Sequence, residues 1–302
     1  MSDPIRPCIL FTFNEAYAGP GLVAVSSALR HTDSDVPIVI GSDGLSDRTV
    51  ERIVGLDESR QIEVVDVVDR IAGMPGLERF PTVVWARVFV QDLIPDGVTR
   101  VLYLDGDTMT RRPLGDLLHI DLHSQTLGAC PSNRYATHAD REETLWQRAG
   151  SPPAVAYFNT GVLVIDLERW VDLDVSNRIV SAAEGGQFAY GLPDQDVMNA
   201  VLWDDWYPLP WQLWNYPGYL STVGADHARV VHFYGLTKPW EVPVQARHFQ
   251  KEYEQAASAI GWDIGHSPVK HLRRIARSLV PVGVMERRHH KIEVKTSRRD
   301  VW

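Results

Sequence analysis

Short apolar runs alternate with longer runs of helical periodicity along the first 130 residues of the chain. The strand-like runs are Cys8–Phe13, Val36–Ile40, Ile62–Val65 and Val101–Leu104, and the helix-like runs are Gly21–Arg30, Leu45–Val54 and Val83–Leu93. This alternation predicts an α/β fold in which helices cover a mostly parallel sheet. Ligands of such sheets bind beyond the carboxyl ends of the strands, so polar residues that directly follow a strand are candidates for a functional site.

The pattern becomes less regular beyond residue 130. The predicted elements there are a strand over Tyr157–Leu167, a helix over Pro193–Leu202, a core strand over Val230–Tyr234 and a helix over Arg247–Ile260. The segment Trp203–Tyr219 is crowded with Trp, Tyr and Pro, which is typical of a pocket wall rather than of a helix or strand. Its rings offer flat faces for a sugar or aromatic acceptor, although several are expected to serve the core: Trp206, Trp211, Trp214, Tyr216 and Tyr219.

Two carboxylates separated by glycine, Asp105-Gly106-Asp107, directly follow the apolar run Val101–Leu104. Side chains alternate along an extended chain, so Asp105 and Asp107 project to the same side at the end of the strand. Paired carboxylate oxygens suit Mg²⁺ or Mn²⁺, with diphosphate oxygens completing the coordination. A solvated turn is the alternative, since the sequence contains three other Asp-x-Asp triplets. Two of these, at residues 33 and 172, lie in polar surroundings, whereas Asp105 follows a clean apolar strand.

The charge of the chain is unevenly distributed. The 302 residues carry a formal net charge of −9, yet residues 263–302 hold ten Lys or Arg against four Asp or Glu, which leaves −15 for the first 262 residues. An acidic body argues against nucleic acid as the main partner, because phosphate binding requires a basic surface. With 44% hydrophobic residues, the chain is able to bury a sizeable core.

Cysteine content and hydropathy constrain the compartment. The two cysteines, Cys8 and Cys130, exclude a disulfide framework and are expected to be buried beside strands. The sequence does not start with a basic segment followed by a long apolar run, and no apolar stretch approaches the ~20 residues that span a bilayer. We therefore expect a cytoplasmic protein.

The basic residues near the end of the chain define a tail at 263–302, separate from a body at 1–262. Lys270, Arg273, Arg274 and Arg277 fall along one side of a predicted helix that carries apolar residues on another side. Such a helix is consistent with peripheral contact with anionic lipids on the inner face of a membrane. It is equally consistent with a helix that packs on the acidic body.

Two further polar segments interrupt otherwise regular elements. Asn159 and Thr160 lie inside an apolar run, where polar groups must be paired, and they indicate either a locally bonded bulge or an amide placed to bind a ligand. Asp194 and Gln195 open a helix after Pro193. Acidic residues in a first turn stabilise the helix dipole, and they are also suited to bind sugar hydroxyls or a developing cation.

The segment from His232 to Trp240 combines a strand-end histidine with Gly235 and with Lys238, the first lysine of the chain. Histidine at a strand end is usually structural, but its imidazole is also a metal ligand. A lysine binds phosphate as a compact point charge, and a nearby glycine favours a loop whose backbone approaches the phosphates. The spacing of these residues fits a diphosphate-binding loop.

These four segments, in this order, resemble glycosyltransferase family 8, which includes bacterial lipopolysaccharide α-galactosyl- and α-glucosyltransferases and, more distantly, glycogenin. The resemblance extends from about residue 8 to residue 255. It implies a GT-A type fold, with a Rossmann-like, mostly parallel sheet and flanking helices, in the body at 1–262. It also implies a retaining transfer of a hexose from a UDP-sugar.

The resemblance assigns expected roles at the diphosphate. Asp105, Asp107 and His232 would bind Mn²⁺ or Mg²⁺ between the phosphates of the UDP-sugar, while Lys238 and the backbone of Gly235 would stabilise the departing UDP. Arg87 matches the family's arginine that contacts the nucleotide-sugar, and Gly106 allows the donor to approach closely.

Further roles concern the sugar and the base. Asn159, Asp194 and Gln195 would surround the donor sugar, with Gln195 nearest the anomeric carbon. Asn14 and Tyr17 would hold the ribose and the uracil, with Tyr17 stacked on the base. The chain departs from the family pattern at residues 14–16, where the family often carries acidic and amide residues, and at 131–133, where an Asp commonly contacts the sugars. The identities of the donor sugar and of the base therefore stay open. The acceptor, a small molecule, a saccharide or a lipid-linked compound, stays open too, as does a covalent or same-face mechanism.

Two other classes of protein fit parts of the pattern. Asp105 and Asp107 also match the loop of haloacid-dehalogenase-like phosphatases, with Asp105 as nucleophile and Asp107 as acid/base. Against this, that loop usually follows the first strand of its fold, and here at least three strand-like runs precede it. A non-catalytic protein that binds a nucleotide-sugar is the third alternative.

Overall fold

The computed structural model describes residues 4–75, 81–141, 147, 149–184, 192–220, 224–235, 238–240 and 248–264. Its strands are β1 Pro7–Thr12, β2 Ile38–Ser42, β3 Ile62–Asp66, β4 Arg100–Asp105, β5 Thr108–Thr110, β6 Leu127–Pro131, β7 Phe158–Asp166, β8 Trp206–Pro208, β9 Tyr216–Pro217 and β10 Val230–His232. Its main helices are α1 Ala18–Leu29, α2 Asp47–Val54, α3 Val68–Ile71, α4 Val90–Leu93, α5 Gly115–Leu118, α6 His138–Arg141, α7 Leu167–Asp172, α8 Val175–Glu184, α9 Pro193–Val201, α10 Trp211–Trp214 and α11 Gln250–Ala259.

A seven-stranded sheet in the order β3-β2-β1-β4-β7-β6-β8 forms the centre of the molecule. Strands β3, β2, β1 and β4 are mutually parallel, β7 runs antiparallel to both β4 and β6, and β8 is parallel to β6. The sheet is therefore mostly parallel, as the sequence predicts. Pairing of Thr12 with Asp105 brings the carboxyl ends of β1 and β4 side by side, next to the start of β7.

The central strands are apolar because both faces of the sheet are covered. One face packs against the 82–89 segment, α8 and α9 through a cluster that includes Trp85 and Trp170. The other face packs against α1 and α5 through a cluster that includes Phe11 and Leu104. Cys8 and Cys130 are buried with free thiols, as expected.

A small second sheet in the order β5-β10-β9 lies beside the large one. Strand β10 is antiparallel to β5, and His232 pairs with Thr108, directly after Asp107. This pairing carries a histidine from late in the sequence to the two carboxylates at the end of β4. The small sheet thus completes the site at the edge of the large one.

Two predicted elements differ from the structure. The segment Trp203–Tyr219 is not free of regular structure, since it contains β8, α10 and β9, and both Trp214 and Tyr216 are buried in the core. The segment Val83–Leu93 is not one α-helix: residues Thr82–Phe89 form a 3₁₀-helix that precedes the short α4. Most apolar side chains of this segment are buried, so tertiary packing outweighs the helical periodicity that the sequence displays.

The predicted basic helix in the tail lies outside the described residues, and the boundary at 262/263 stays a prediction. Within the part of the chain that the structure describes, no helix is both long enough and apolar enough to cross a membrane.

Candidate active site

A cavity of about 520 Å³ opens where β1 and β4 end and β7 begins. Its volume falls within the range of small-molecule sites, and its position is the one that the topology of a parallel sheet favours. The cavity is lined by nearly all residues that the sequence singles out: Asn14, Tyr17, Arg87, Asp105, Gly106, Asp107, Asn159, Asp194, Gln195, His232, Gly235 and Lys238. The structure thus gathers segments that lie more than 200 residues apart.

The carboxylates of Asp105 and Asp107 face the imidazole of His232 on one wall of the cavity. His232 Nε2 lies 3.4 Å from Asp105 Oδ2 and 3.0 Å from Asp107 Oδ1. One ligand atom from each of the three residues lies within 4.8 Å of the other two. Two hard carboxylate oxygens and one imidazole nitrogen suit a divalent ion such as Mn²⁺, and the triad is compact enough to share one ion.

Lys238 places a positive charge beside this triad. Its Nζ lies 2.5 Å from Asp107 Oδ2 and donates a 2.7 Å hydrogen bond to the carbonyl of Phe233. Burial raises the pKa of Asp107, but Lys238 and His232 outweigh this effect and hold the pKa of that carboxyl below its usual value. Gly235 lines the same wall with φ of +95°, a left-handed conformation that glycine adopts without strain.

Arg87 joins the carboxylate wall to the first turn of α9. Its guanidinium is buried, with Nη2 2.9 Å from Asp105 Oδ1 and Nε 3.3 Å from Asp194 Oδ2. A further hydrogen bond runs from Nη1 to the carbonyl of Thr160 at 2.7 Å, and the guanidinium stacks on the ring of Tyr103. Arg87 therefore holds two acidic groups in place. Its own burial is tolerated because the guanidinium is paired with these carboxylates and with a backbone carbonyl.

Burial and neighbouring charges act on the pKa of Asp194 in opposite directions. Burial raises the pKa of its carboxyl and outweighs the lowering by Arg87, while the charge of Asp105 raises it further. Its Oδ2 lies 3.3 Å from Arg87 Nε, but the geometry of this ion pair is not that of a hydrogen bond, and the oxygen accepts none among the described residues. Asp194 is thus a buried acceptor on the cavity wall with capacity for a hydroxyl group.

Gly161 leaves the space that the imidazole of His232 occupies. A Cβ atom at this position would lie 2.0 Å from His232 Cε1 and 2.8 Å from Asp105 Oδ2. Strand β7 is irregular here, because Ala129 of β6 pairs with Leu163 while the next residue, Cys130, pairs with Asn159. The local hydrogen bond expected of a bulge is present, from Gly161 N to Asn159 Oδ1 at 2.9 Å.

An amide wall, formed by Asn159, Thr160 and Gln195, lines the same cavity. Asn159 Nδ2 donates to Gln195 Oε1 at 3.0 Å, and the backbone N–H of Thr160 donates to the same oxygen at 3.2 Å. Helix α9 is fixed to β7 by Asn199, whose side chain bonds both the N–H and the carbonyl of Phe158 at 2.8 Å. The amide wall therefore has a defined position relative to the sheet.

Asn215 links the two walls and is a residue that the sequence analysis missed. Its Oδ1 lies 2.9 Å from His232 Nδ1, and its Nδ2 donates to Asn159 Oδ1 at 2.7 Å. A hydrogen bond from Nδ1 to an amide oxygen leaves Nε2 as the nitrogen that faces the carboxylates. Asn215 is buried in the aromatic segment, where no local pattern distinguishes it from a core residue.

Tyr103 is also missed, although a signal was available. Its Oη donates to Asp105 Oδ1 at 2.7 Å and accepts from Thr12 Oγ1 at 2.8 Å. It precedes Asp105 by two residues, so the alternation of a strand places both side chains on the same face. The periodicity of β4 therefore indicates a hydroxyl next to the carboxylate.

The residues predicted to hold a nucleoside, Asn14 and Tyr17, line the cavity. Tyr17 packs edge-on against Trp240 with ring centroids 5.9 Å apart. Glu15, between Asn14 and Tyr17 in sequence, has another function: it accepts hydrogen bonds from Ser46 and Thr49 at the start of α2. The aromatic rings proposed for the acceptor do not line this cavity within the described residues.

The charge state of His232 depends on the two carboxylates. Burial disfavours its charged form, but Asp107 and Asp105 outweigh burial and raise the pKa of His232 from 6.5 to about 9. The ring of the metal-free protein is therefore protonated at neutral pH. A metal ion has to displace this proton in order to bind Nε2.

The stability of the metal-free protein is expected to fall between pH 6.5 and pH 9. A raised pKa in the folded state stabilises it below the unfolded value of 6.5, and this contribution is lost as pH rises through about 9. The loss is on the order of 3 kcal/mol at a conversion of about 1.4 kcal/mol per pKa unit. Urea unfolding in chelator across this range measures it. His232→Gln should flatten the profile, and an equal slope in both proteins would show that other groups cause it.

Comparison with known families identifies this arrangement. The model of glycosyl transferase family 8 matches residues 8–242, more than three quarters of the chain. The chain belongs to glycosyl transferase family 8. It is accordingly a glycosyltransferase.

Individual members of glycosyl transferase family 8 are similar to this chain over most of its length. Lipopolysaccharide 1,2-glucosyltransferase of Escherichia coli K12 is 24% identical over 238 residues, which are 74% of this chain and 69% of that protein. Probable galacturonosyltransferase-like 3 of Arabidopsis thaliana is 34% identical over 178 residues, 52% of this chain and 49% of that protein. The solved galactosyltransferase LgtC, in complex with donor and acceptor sugar analogs, superposes with a TM-score of 0.70 at 23% identity, over 83% of this chain and 95% of that one.

Membership of glycosyl transferase family 8 and the superposition establish the GT-A fold that the resemblance implies. The phosphatase interpretation of Asp105 is wrong. Strand β4 is the fourth of the chain rather than the first, and Asp105 Oδ1 is already bonded to Arg87 and Tyr103. A carboxylate committed in this way is poorly placed to attack a phosphate.

Proposed function

We propose that this protein transfers a hexose from a UDP-hexose to a saccharide acceptor with retention of configuration at the anomeric carbon. One observation carries the proposal: a triad suited to a divalent metal, a lysine and an amide wall line one cavity. Relatives named as glucosyl- and galactosyltransferases support a hexose as the transferred sugar.

The residues divide between the diphosphate and the sugar. Asp105, Asp107 and His232 would hold a divalent metal, Mn²⁺ or Mg²⁺, which when bound neutralises charge on the diphosphate as a Lewis acid. Lys238 Nζ and the backbone of Gly235 stabilise the charge that develops on UDP as the bond from C1 to oxygen breaks. Arg87 holds Asp105 and Asp194 in place beside the donor.

The amide wall serves the sugar. Asn159 and Asp194 bind its hydroxyl groups, and Gln195 Oε1 lies nearest the anomeric carbon, where positive charge develops. Asn14 and Tyr17 bind the nucleoside, with the ring of Tyr17 stacked on uracil. The acceptor hydroxyl approaches from the face that UDP leaves.

We extend the proposal to lipid-linked saccharides at an anionic membrane surface. Co-sedimentation of the full chain with anionic vesicles would detect this contact.

A donor panel tests the proposal directly. The protein is incubated with Mn²⁺ and UDP-, GDP- and TDP-sugars in the absence of acceptor, and release of the nucleoside diphosphate is followed. We expect slow hydrolysis of one UDP-hexose, and its loss on addition of chelator. Thermal stabilisation by UDP and Mn²⁺ without hydrolysis of any donor would instead support a non-catalytic binding protein, and silence in both assays would refute donor binding.

A further inference from the structure

Arg141, which lines the cavity, and the buried residues Tyr157 and Asp196 form a network of hydrogen bonds that ends on Gln195. Arg141 Nε and Nη2 donate to the two oxygens of Asp196 at 2.9 and 2.8 Å, in a bidentate pair. Tyr157 Oη lies 2.6 Å from Asp196 Oδ1, and Gln195 Nε2 lies 3.0 Å from Tyr157 Oη. Tyr157 and Asp196 are 0% and 1% exposed and do not line the cavity.

The hydrogen bonds from Arg141 to Asp196 determine the direction of the others in this network. A guanidinium only donates, so both oxygens of Asp196 act as acceptors toward Arg141. The hydroxyl of Tyr157 has a single proton, which it gives to Asp196 Oδ1. The oxygen of Tyr157 is then left as an acceptor, and only the amide nitrogen of Gln195 is able to donate to it.

The carbonyl oxygen at the other end of the Gln195 amide is held by hydrogen-bond donors. Its Oε1 accepts from Asn159 Nδ2 and from the backbone N–H of Thr160, and both of these residues line the cavity. The nitrogen therefore points away from the cavity toward Tyr157, and the oxygen lies on the cavity side. If the amide of Gln195 were flipped, its NH₂ group would face two donors, Asn159 Nδ2 and the N–H of Thr160, and its oxygen would face the Tyr157 oxygen, which is also an acceptor. The observed orientation is therefore the one that satisfies both ends of the amide.

We infer that Tyr157, held by Asp196 and Arg141, is a positioning residue that anchors Gln195 by its amide nitrogen and keeps the carbonyl oxygen directed at the donor sugar. The inference rests on the proposed function, in which that oxygen stabilises the anomeric carbon as UDP departs. Helix α9 is held independently by Asn199, so the anchor acts on the side chain rather than on the backbone.

Removal of one hydroxyl isolates this effect. Tyr157→Phe preserves the ring that packs against Tyr135 and His138 and removes only the hydroxyl, which accepts from Gln195 Nε2 and donates to Asp196 Oδ1. We expect kcat for hydrolysis of the UDP-hexose to fall about tenfold or more, the equivalent of one lost hydrogen bond, with KM for the donor changed less than twofold. Tyr253→Phe is the matched control, because Tyr253 is equally buried and its hydroxyl has no hydrogen-bond partner among the described residues.

A double-mutant cycle distinguishes anchoring from a general loss of packing. If Tyr157 acts through Gln195, Tyr157→Phe has no further effect on kcat in a Gln195→Ala background. An equal fall in kcat in both backgrounds would overturn the inference. So would a Tyr157→Phe protein with the kcat of the wild type.

A second measurement needs no activity. The side-chain amide protons of Gln195, assigned by their loss in Gln195→Ala, should exchange slowly in the wild-type chain and faster in Tyr157→Phe, with Tyr253→Phe unchanged. An unchanged exchange rate in Tyr157→Phe would overturn the anchor. If no donor is hydrolysed by the wild-type protein, the proposed function fails while this measurement still decides whether Tyr157 holds the amide.

Discussion

Asp107→Asn is expected to lower metal-dependent cleavage of the donor by about 10³-fold, the equivalent of several kcal/mol of lost charge stabilisation. The substitution preserves the shape of the side chain and removes a negative charge that faces both His232 and Lys238. The remaining cluster then attracts a divalent cation less strongly. The rate of UDP release at saturating Mn²⁺ and the shift in Tm on addition of Mn²⁺ with UDP both measure this loss.

The chain offers its own control for this substitution. Asp35 belongs to another Asp-x-Asp triplet but is exposed, away from the cavity. Asp35→Asn should leave both the rate and the thermal shift unchanged. Circular dichroism of Asp107→Asn should confirm that the fold persists, and wild-type turnover by that folded variant would contradict the metal assignment.

Gly161→Ala should weaken metal binding through a single methyl group that carries no charge. The added Cβ would overlap the imidazole of His232 and press on Asp105, at separations of 2.0 and 2.8 Å that no real contact allows. The imidazole has to move, and it is confined by the hydrogen bond to Asn215 and by β10. We expect metal affinity and turnover to fall by about 10- to 100-fold, the cost of disturbing a group that supports a metal ligand.

The measurement is a titration of Mn²⁺ followed by electron paramagnetic resonance, with the free ion as the signal. Gly115→Ala is the matched control, because a Cβ there meets no atom within 4 Å. The control should bind Mn²⁺ as the wild type does. A Gly161→Ala protein that titrates normally would show that the imidazole is not held where the structure places it.

The sequence predicted the parts of the site that depend on local rules. Asp105 and Asp107 are recognisable because a strand that ends in alternating carboxylates has a fixed geometry, and the sheet topology determines the edge at which they emerge. His232 and Lys238 are singled out by residue type and spacing, and the resemblance to the family then assigns them to the metal and the diphosphate. Their proximity to Asp107 requires β10 to pair with β5, a long-range contact that no local periodicity encodes.

The residues that the sequence did not reveal act through partners distant in the chain. Asn215 is defined by its contacts with His232 and Asn159, and Arg141 by its pair with Asp196, 55 residues away. In the aromatic segment Trp203–Tyr219, the composition predicts a pocket wall, but Trp214 and Tyr216 are buried in the core. Long-range packing determines all of these, whereas composition and spacing report only on neighbours in sequence.

The division of the triad between two sheets has a consequence for the order of events during synthesis and unfolding. Two of the three proposed ligands are in place once β4 has joined the large sheet, but the third arrives with β10, a strand of three residues whose His232 lies 125 positions after Asp107. A nascent chain that stops short of β10 has carboxylates without their histidine. In the finished protein, local opening of the small sheet would release a bound ion, because the strand that frays is the strand that carries the proposed ligand.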